Sequence, residues 1–213
     1  MPASRLHLVR HGEVFNPTGV LYERIEGFGL SEKGHQMAKA AADSLAAQGR
    51  EISKLYASPL QRTRESVAPI ESKFNLKAEL DERFIEPWNR FRGLKVGLKA
   101  ILKRPSILLN LYNPRRPSWG EPYKEIVSRM NQGLEEAWKS VESGDVVIVS
   151  HQLPIWMVYR SASGLELPHD PRDRRCSLSS ITSFEMRDGK LVEVGYSEPG
   201  MDFAKNAIDG GAV

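Results

Sequence analysis

Apolar positions along the chain fall into two periods, and their alternation predicts strands and helices in turn. Leu6-His7-Leu8-Val9 is a short apolar run that stops at Arg10, His11 and Gly12, the pattern of a buried strand opening into a loop. From Val14 to Leu30 the chain is polar and broken by Asn16, Pro17, Gly19, Gly27 and Gly29, so a loop is predicted there. Ser31 then caps a helix from about Glu32 to Ala47, with Met37, Ala41 and Leu45 on one face and Gly49 at its end. Lys54 to Ser58 reads as a second strand. Ser58-Pro59 reads as the N-cap and first position of a helix that buries Val67, Ile70 and Phe74. A weak strand follows at Leu76 to Leu80, and Tyr123 to about Val141 carries Ile126, Met130, Leu134, Ala137, Trp138 and Val141 at helical spacing. Asp145 to Ser150 is continuous and apolar at Val146-Val147-Ile148-Val149, as a central parallel strand should be. Pro154 opens a helix through Tyr159 that ends by Gly164, and Leu165 to Arg175 reads as a charged loop whose His169 is solvated and without a role. Ser179 to Met186 and Lys190 to Ser197 alternate as strands around the turn Asp188-Gly189, and a mobile tail is expected after Pro199.

At 213 residues the chain suits one α/β domain of ordinary size, spanning 1–213. Its formal charge of +3 comes from 30 basic against 27 acidic side chains, a balance that implies no nucleic-acid partner. The basic residues are uneven, however. Arg90, Arg92, Lys95, Lys99, Lys103, Arg104 and Arg115 lie between Arg83 and Arg116 with Glu86 as the lone acid, which suits either a solvated face or an anionic substrate. Cys176 is the single cysteine, which excludes an internal disulfide framework and a cysteine-rich zinc site and fits a reducing compartment. The N-terminus leads straight into the first strand, and no stretch approaches the roughly 20 apolar residues of a membrane span, so a soluble, cytoplasmic protein without a membrane partner is expected. Leu94 to Trp119 mixes apolar and basic residues with Pro105, Pro114 and Pro117, suggesting short helices; Pro105 interrupts any membrane-surface helix.

Chemistry is concentrated where the first strand ends. Arg10 supplies a permanent cation with a planar fork, and His11 a nucleophile that titrates near neutrality, a combination suited to phosphoryl transfer. Three further segments follow in order: Ser58-Pro59-Leu60-Gln61-Arg62-Thr63, Asp81-Glu82-Arg83-Phe84-Ile85-Glu86, and Val147-Ile148-Val149-Ser150-His151. Together with Arg10-His11-Gly12-Glu13, these make the chain resemble the histidine phosphatase superfamily, also called phosphoglycerate-mutase-like, over about residues 4–197. The resemblance implies a three-layer α/β/α sandwich with a mostly parallel central sheet and a variable cap at about 94–119. It implies His11 as the residue that becomes phosphorylated, Arg10, Arg62 and His151 around the phosphoryl oxygens, and Glu86 as proton donor. Proximity to phosphate would raise the pKa of Glu86 by like-charge repulsion. Asn16 is either a phosphate ligand, as the resemblance implies, or a turn residue ahead of Pro17. Glu121 stands where the family has a Gly-Glu-Ser motif, and complementing a helix dipole explains it equally well.

The chain departs from the family's mutases at Pro87 to Gly93 and at Gln152-Leu153, where Gly-Gly is usual. A phosphatase acting on small phosphate monoesters through a phosphohistidine is therefore favoured over a cofactor-dependent phosphoglycerate mutase. A non-catalytic phospho-ligand-binding protein on the same fold is the third reading. No metal or cofactor is expected for hydrolysis, and 2,3-bisphosphoglycerate would be needed only by a mutase. The expected partner is a small phosphorylated substrate, with a homodimer left open. Zinc deamination is disfavoured because His11-Gly12-Glu13 lacks its Pro-Cys-x-x-Cys half, and a P-loop kinase because Gly-x-x-x-x-Gly-Lys is missing.

Overall fold

A computed structural model describes residues 2–95 and 120–203. The cap expected at 94–119 thus lies outside the described residues except for Leu94 and Lys95, as does most of the basic run. In order, the chain forms β1 (Leu6–Arg10), α1 (Glu32–Ala47), β2 (Ile52–Ala57), α2 (Gln61–Phe74), β3 (Ala78–Leu80), α3 (Tyr123–Lys139), β4 (Asp145–Ser150), α4 (Gln152–Ala162), β5 (Ile181–Arg187) and β6 (Lys190–Ser197). Short 3-10 turns lie at Glu82–Phe84, Pro171–Asp173 and Met201–Phe203.

The two most continuous apolar runs, β1 and β4, are buried at every position and pair in parallel with Arg10 opposite Ser150. The sheet order is β3-β2-β4-β1-β5-β6, parallel from β3 to β1, with the β5-β6 hairpin added antiparallel on the edge of β1. Alternate side chains of the central strands serve opposite layers. Val9, Val147 and Val149 pack against Ala41, Leu45, Val67 and Ile70 of α1 and α2. Leu6, Leu8, Val146 and Ile148 pack against Ile126, Met130, Ile155 and Met157 of α3 and α4. The α/β fold with a mostly parallel sheet is therefore as the sequence predicts.

Element ends differ where tertiary contacts override local signals. β2 begins at Ile52 rather than Lys54, because Ile52 pairs with Asp145 across a bulge that hides the strand's period. α2 starts at Gln61 with Leu60 in the cap position and no side-chain cap, since the Ser58 hydroxyl is taken by His151. α4 starts at Gln152, two residues before Pro154, which its first turn accommodates because the N–H groups there have no helical partner. Beyond Pro199 the chain forms the Met201–Phe203 turn beside α1, with Gly200 so close to Met37 that a Cβ would stand 3.3 Å from that side chain.

The connections decide where a ligand can sit. After β1 the chain crosses through α1 to β2 on the far side of β4; after β4 it crosses through α4 to β5 on the far side of β1. A crevice forms where neighbouring parallel strands send their chains apart, at the carboxyl ends of β1 and β4.

Candidate active site

The register that sets Arg10 opposite Ser150 makes the next residues, His11 and His151, leave the sheet side by side. Their rings stand 5.2 Å apart at 64°. Both are buried, as are Arg10 and Arg62. The His11 Nδ1 lies 2.8 Å from the Gly12 carbonyl, so this nitrogen carries the proton and donates, leaving Nε2 as the ring's acceptor with its lone pair toward Arg62. Burial first, then the charges of Arg62 and Arg10, hold the His11 pKa well below its ordinary value. The imidazole is thus neutral at neutral pH.

Arg62 reaches this atom from the first turn of α2, its Nε donating to His11 Nε2 at 3.3 Å. Its Nη2 donates to the Glu23 carbonyl at 2.8 Å, and the guanidinium lies 4.9 Å from the Tyr22 ring centre. Glu23 presents that carbonyl from a backbone φ of 37°, a conformation L residues rarely adopt, so the loop after β1 is folded against the site under strain. Arg10 is held by donation from Nη1 to the Cys176 carbonyl at 2.6 Å.

Glu86 completes the cluster. Its Oε2 stands 3.3 Å from His151 Nδ1, outside hydrogen-bonding geometry, so among the described residues that buried nitrogen has no hydrogen-bond partner. His151 Nε2 and the Ser58 hydroxyl are 2.8 Å apart. Burial pushes Glu86 up to about 7 against the pull of Arg62 and Arg10, the direction expected from the sequence but without any phosphate to cause it. The backbone around it is fixed at two points: Arg24 Nε donates to the Glu86 carbonyl at 2.6 Å, and Ser150 Oγ to the Phe84 carbonyl at 2.7 Å. Arg24 also faces Glu121, whose carboxylate accepts from Arg129 Nε at 2.7 Å and Nη2 at 3.1 Å. Glu121 is thus a buried clamp between the loop and α3.

The structure brings Arg10, His11, Arg62, Glu86 and His151 together and engages Asn16 within the loop that follows β1. The Asn16 amide nitrogen donates to the Val20 carbonyl at 2.8 Å, and its oxygen accepts from Val20 N and Thr18 Oγ1. These bonds make Asn16 an organiser of its own turn. Ser58, whose sequence context suggests a helix cap, instead sits under His151. The sequence also predicts a solvated loop before β5. Here His169 is half-buried and accepts from Arg174 Nε at 2.9 Å, placing a further cation whose charge is felt at Glu86 and Arg10. Nothing local in the sequence marks Ser58 or Arg174, because each acquires its partner through the folding of the chain around the sheet ends.

Residues 6–198 match the family profile of the histidine phosphatase superfamily (branch 1), and the chain belongs to that superfamily. An uncharacterised protein of Mycobacterium tuberculosis is 45% identical over 197 residues, covering 92% of this chain and 96% of its own. Phosphoserine phosphatase 1 of Hydrogenobacter thermophilus is 30% identical over 168 residues, 76% of this chain and 78% of its own. Among solved structures, mycobacterial glucosyl-3-phosphoglycerate phosphatase superposes with a TM-score of 0.70 at 19% identity, over 90% of this chain and 96% of its own, a likeness of fold. No helix among the described residues is long and apolar enough to cross a membrane.

Proposed function

We propose that this protein is a phosphatase that hydrolyses small phosphate monoesters in two steps through a phosphohistidine on His11 Nε2. The observation that carries the reading is a neutral, oriented imidazole between Arg10 and Arg62 with a carboxyl near neutrality beside it. In the first step the Nε2 lone pair attacks phosphorus, the ester P–O bond breaks, and the proton on Glu86 passes to the departing alkoxide. Arg10, Arg62 and the partnerless Nδ1 of His151 take the phosphoryl oxygens, where positioning and charge supply most of the acceleration. In the second step Glu86 takes a proton from water, the water oxygen bonds to phosphorus, and the P–N pair returns to Nε2. Kinship with a phosphoserine phosphatase at 30% identity supports hydrolysis over isomerisation.

Release of inorganic phosphate from a panel of monoesters tests this reading, run beside an assay interconverting 3- and 2-phosphoglycerate. Phosphate release by the intact chain, its fall by about a thousandfold or more in His11→Ala, and an acid-labile phosphoenzyme are expected. Full turnover by His11→Ala overturns the reading, and interconversion without phosphate release replaces it with the mutase.

A further inference from the structure

Arg174 lies in the loop between α4 and β5, largely withdrawn from water, and the side chains that accept its hydrogen bonds are neutral. Its Nε donates to His169 Nε2 at 2.9 Å and its Nη1 to Gln152 Oε1 at 3.4 Å. His169 is well prepared to accept. Burial depresses its pKa to about 4, and its Nδ1 donates to the Leu167 carbonyl at 2.8 Å, which turns the Nε2 lone pair toward the guanidinium. The rings of Tyr123 and Trp156, centred 5.5 and 6.1 Å from that of His169, hold the imidazole in place. Gln152 then donates from its own amide nitrogen to the Cys176 carbonyl at 3.3 Å, the same oxygen that receives Arg10 Nη1. A chain of hydrogen bonds therefore runs from Arg10 in the phosphoryl site to Arg174 beside it.

Among the described residues no carboxylate lies within ion-pair distance of Arg174, whereas Arg24 and Arg129 share Glu121. A guanidinium kept from water by neutral acceptors is costly to bury, and the cost is recovered when an anion docks.

We infer that Arg174 binds a second negatively charged group on the substrate, so that the pocket prefers phosphate monoesters that also carry a carboxylate or a second phosphate. This rests on the hydrolytic reading above and assigns the alcohol half of the substrate to the Gln152, His169 and Arg174 side of the site.

The test compares O-phosphoserine and glycerol bisphosphate, which have a second anion, with phosphoethanolamine, which has none, in the intact chain and in Arg174→Gln and Arg174→Lys. For the better of the two dianionic classes, Arg174→Gln should lower kcat/KM by about 30-fold, mainly through KM, the size of one charge-assisted hydrogen bond. Phosphoethanolamine turnover should change less than about threefold, and Arg174→Lys should recover part of the loss. Which anion loses more identifies the natural one. An equal fall on all three esters, or none on any, overturns the assignment. Calorimetric binding of the same esters to His11→Ala separates the two readings: a preference for the second anion that Arg174→Gln removes upholds the subsite even without hydrolysis, and its absence overturns the subsite even where hydrolysis stands.

Discussion

Glu86 is held near neutrality by its own burial, which disfavours the carboxylate more than the arginines around it favour it. In the proposed mechanism the protonated form is the acid, and the sign of the pH effect follows from that. Above about pH 7, where the substrate phosphate is already fully ionised, kcat/KM for an alkyl phosphate should fall about tenfold per unit. On the acid side His11 stays neutral well below its ordinary value, so its protonation limits turnover only at lower pH. Glu86→Gln should lose about a hundredfold or more on alkyl esters and lose the alkaline limb with it. The loss should be much smaller with p-nitrophenyl phosphate, whose leaving group needs no proton. A pH profile of both esters in both proteins checks this, and an unchanged alkaline limb in the variant would assign the acid elsewhere. Histidine and arginine at a strand end suit phosphoryl chemistry by residue type, and the three further motifs in order along the chain are what make that reading specific. Ser58 beneath His151 cannot be read in that way, since its hydroxyl is equally suited to capping a helix.

The element that sets the floor of the site is the junction of β1, the following loop and α1. Gly12 and Gly34 meet there: a Cβ on Gly12 would stand 2.4 Å from the Gly34 carbonyl oxygen, and one on Gly34 would stand 2.0 Å from the Glu13 carbonyl oxygen. Neither neighbour is a side chain that could swing away. The Ser31 hydroxyl, which accepts from Gly34 N and donates to Glu13, ties the same junction. Gly34→Ala should therefore cost more than about 3 kcal/mol, read from denaturant midpoints, by forcing α1 off the loop. Gly19→Ala, at φ 63° with nothing within 4 Å, should cost about 1 kcal/mol from backbone strain alone. Equal losses would show that close packing is not what Gly34 provides. The helix itself is legible in the sequence, with Ser31 as its cap and Glu32–Ala47 as its extent, because cap and apolar stripe are local signals. The start of α2 is not, because its apparent cap is spent on a residue 93 positions away.

At the scale of the molecule the sheet divides its labour between its two ends. The carboxyl ends of β1, β2 and β4 carry the candidate site, and a buried polar network fastens the other end. His7 of β1 contacts Ser183 of β5 at 2.8 Å and Asp145 of β4 at 3.1 Å, and Arg50 donates to both oxygens of that carboxylate. These bonds hold the Asp145 carboxyl at about 2, below its unfolded value near 4. A depressed folded value gives stability that is present above pH 4 and lost as pH falls toward 2, roughly 2 kcal/mol in all. Asp145→Asn should lower stability at neutral pH by roughly 2 to 4 kcal/mol and flatten the loss between pH 4 and 2, measured by urea unfolding across that range. A variant whose acid slope matches the parent would remove Asp145 from this role.

The sequence by itself determined the order of strands and helices, which follows from apolar periodicity acting over a few positions of chain. The mostly parallel sheet and the set of site residues were legible only through the resemblance carried by four ordered motifs. Only the tertiary structure decided that β1 and β4 are neighbours in a register that sets His11 against His151, that Asn16 serves its own loop, and that Arg174 and His169 flank the site. Each of these depends on how the folded chain brings its segments together, where burial and partner geometry outweigh any local preference.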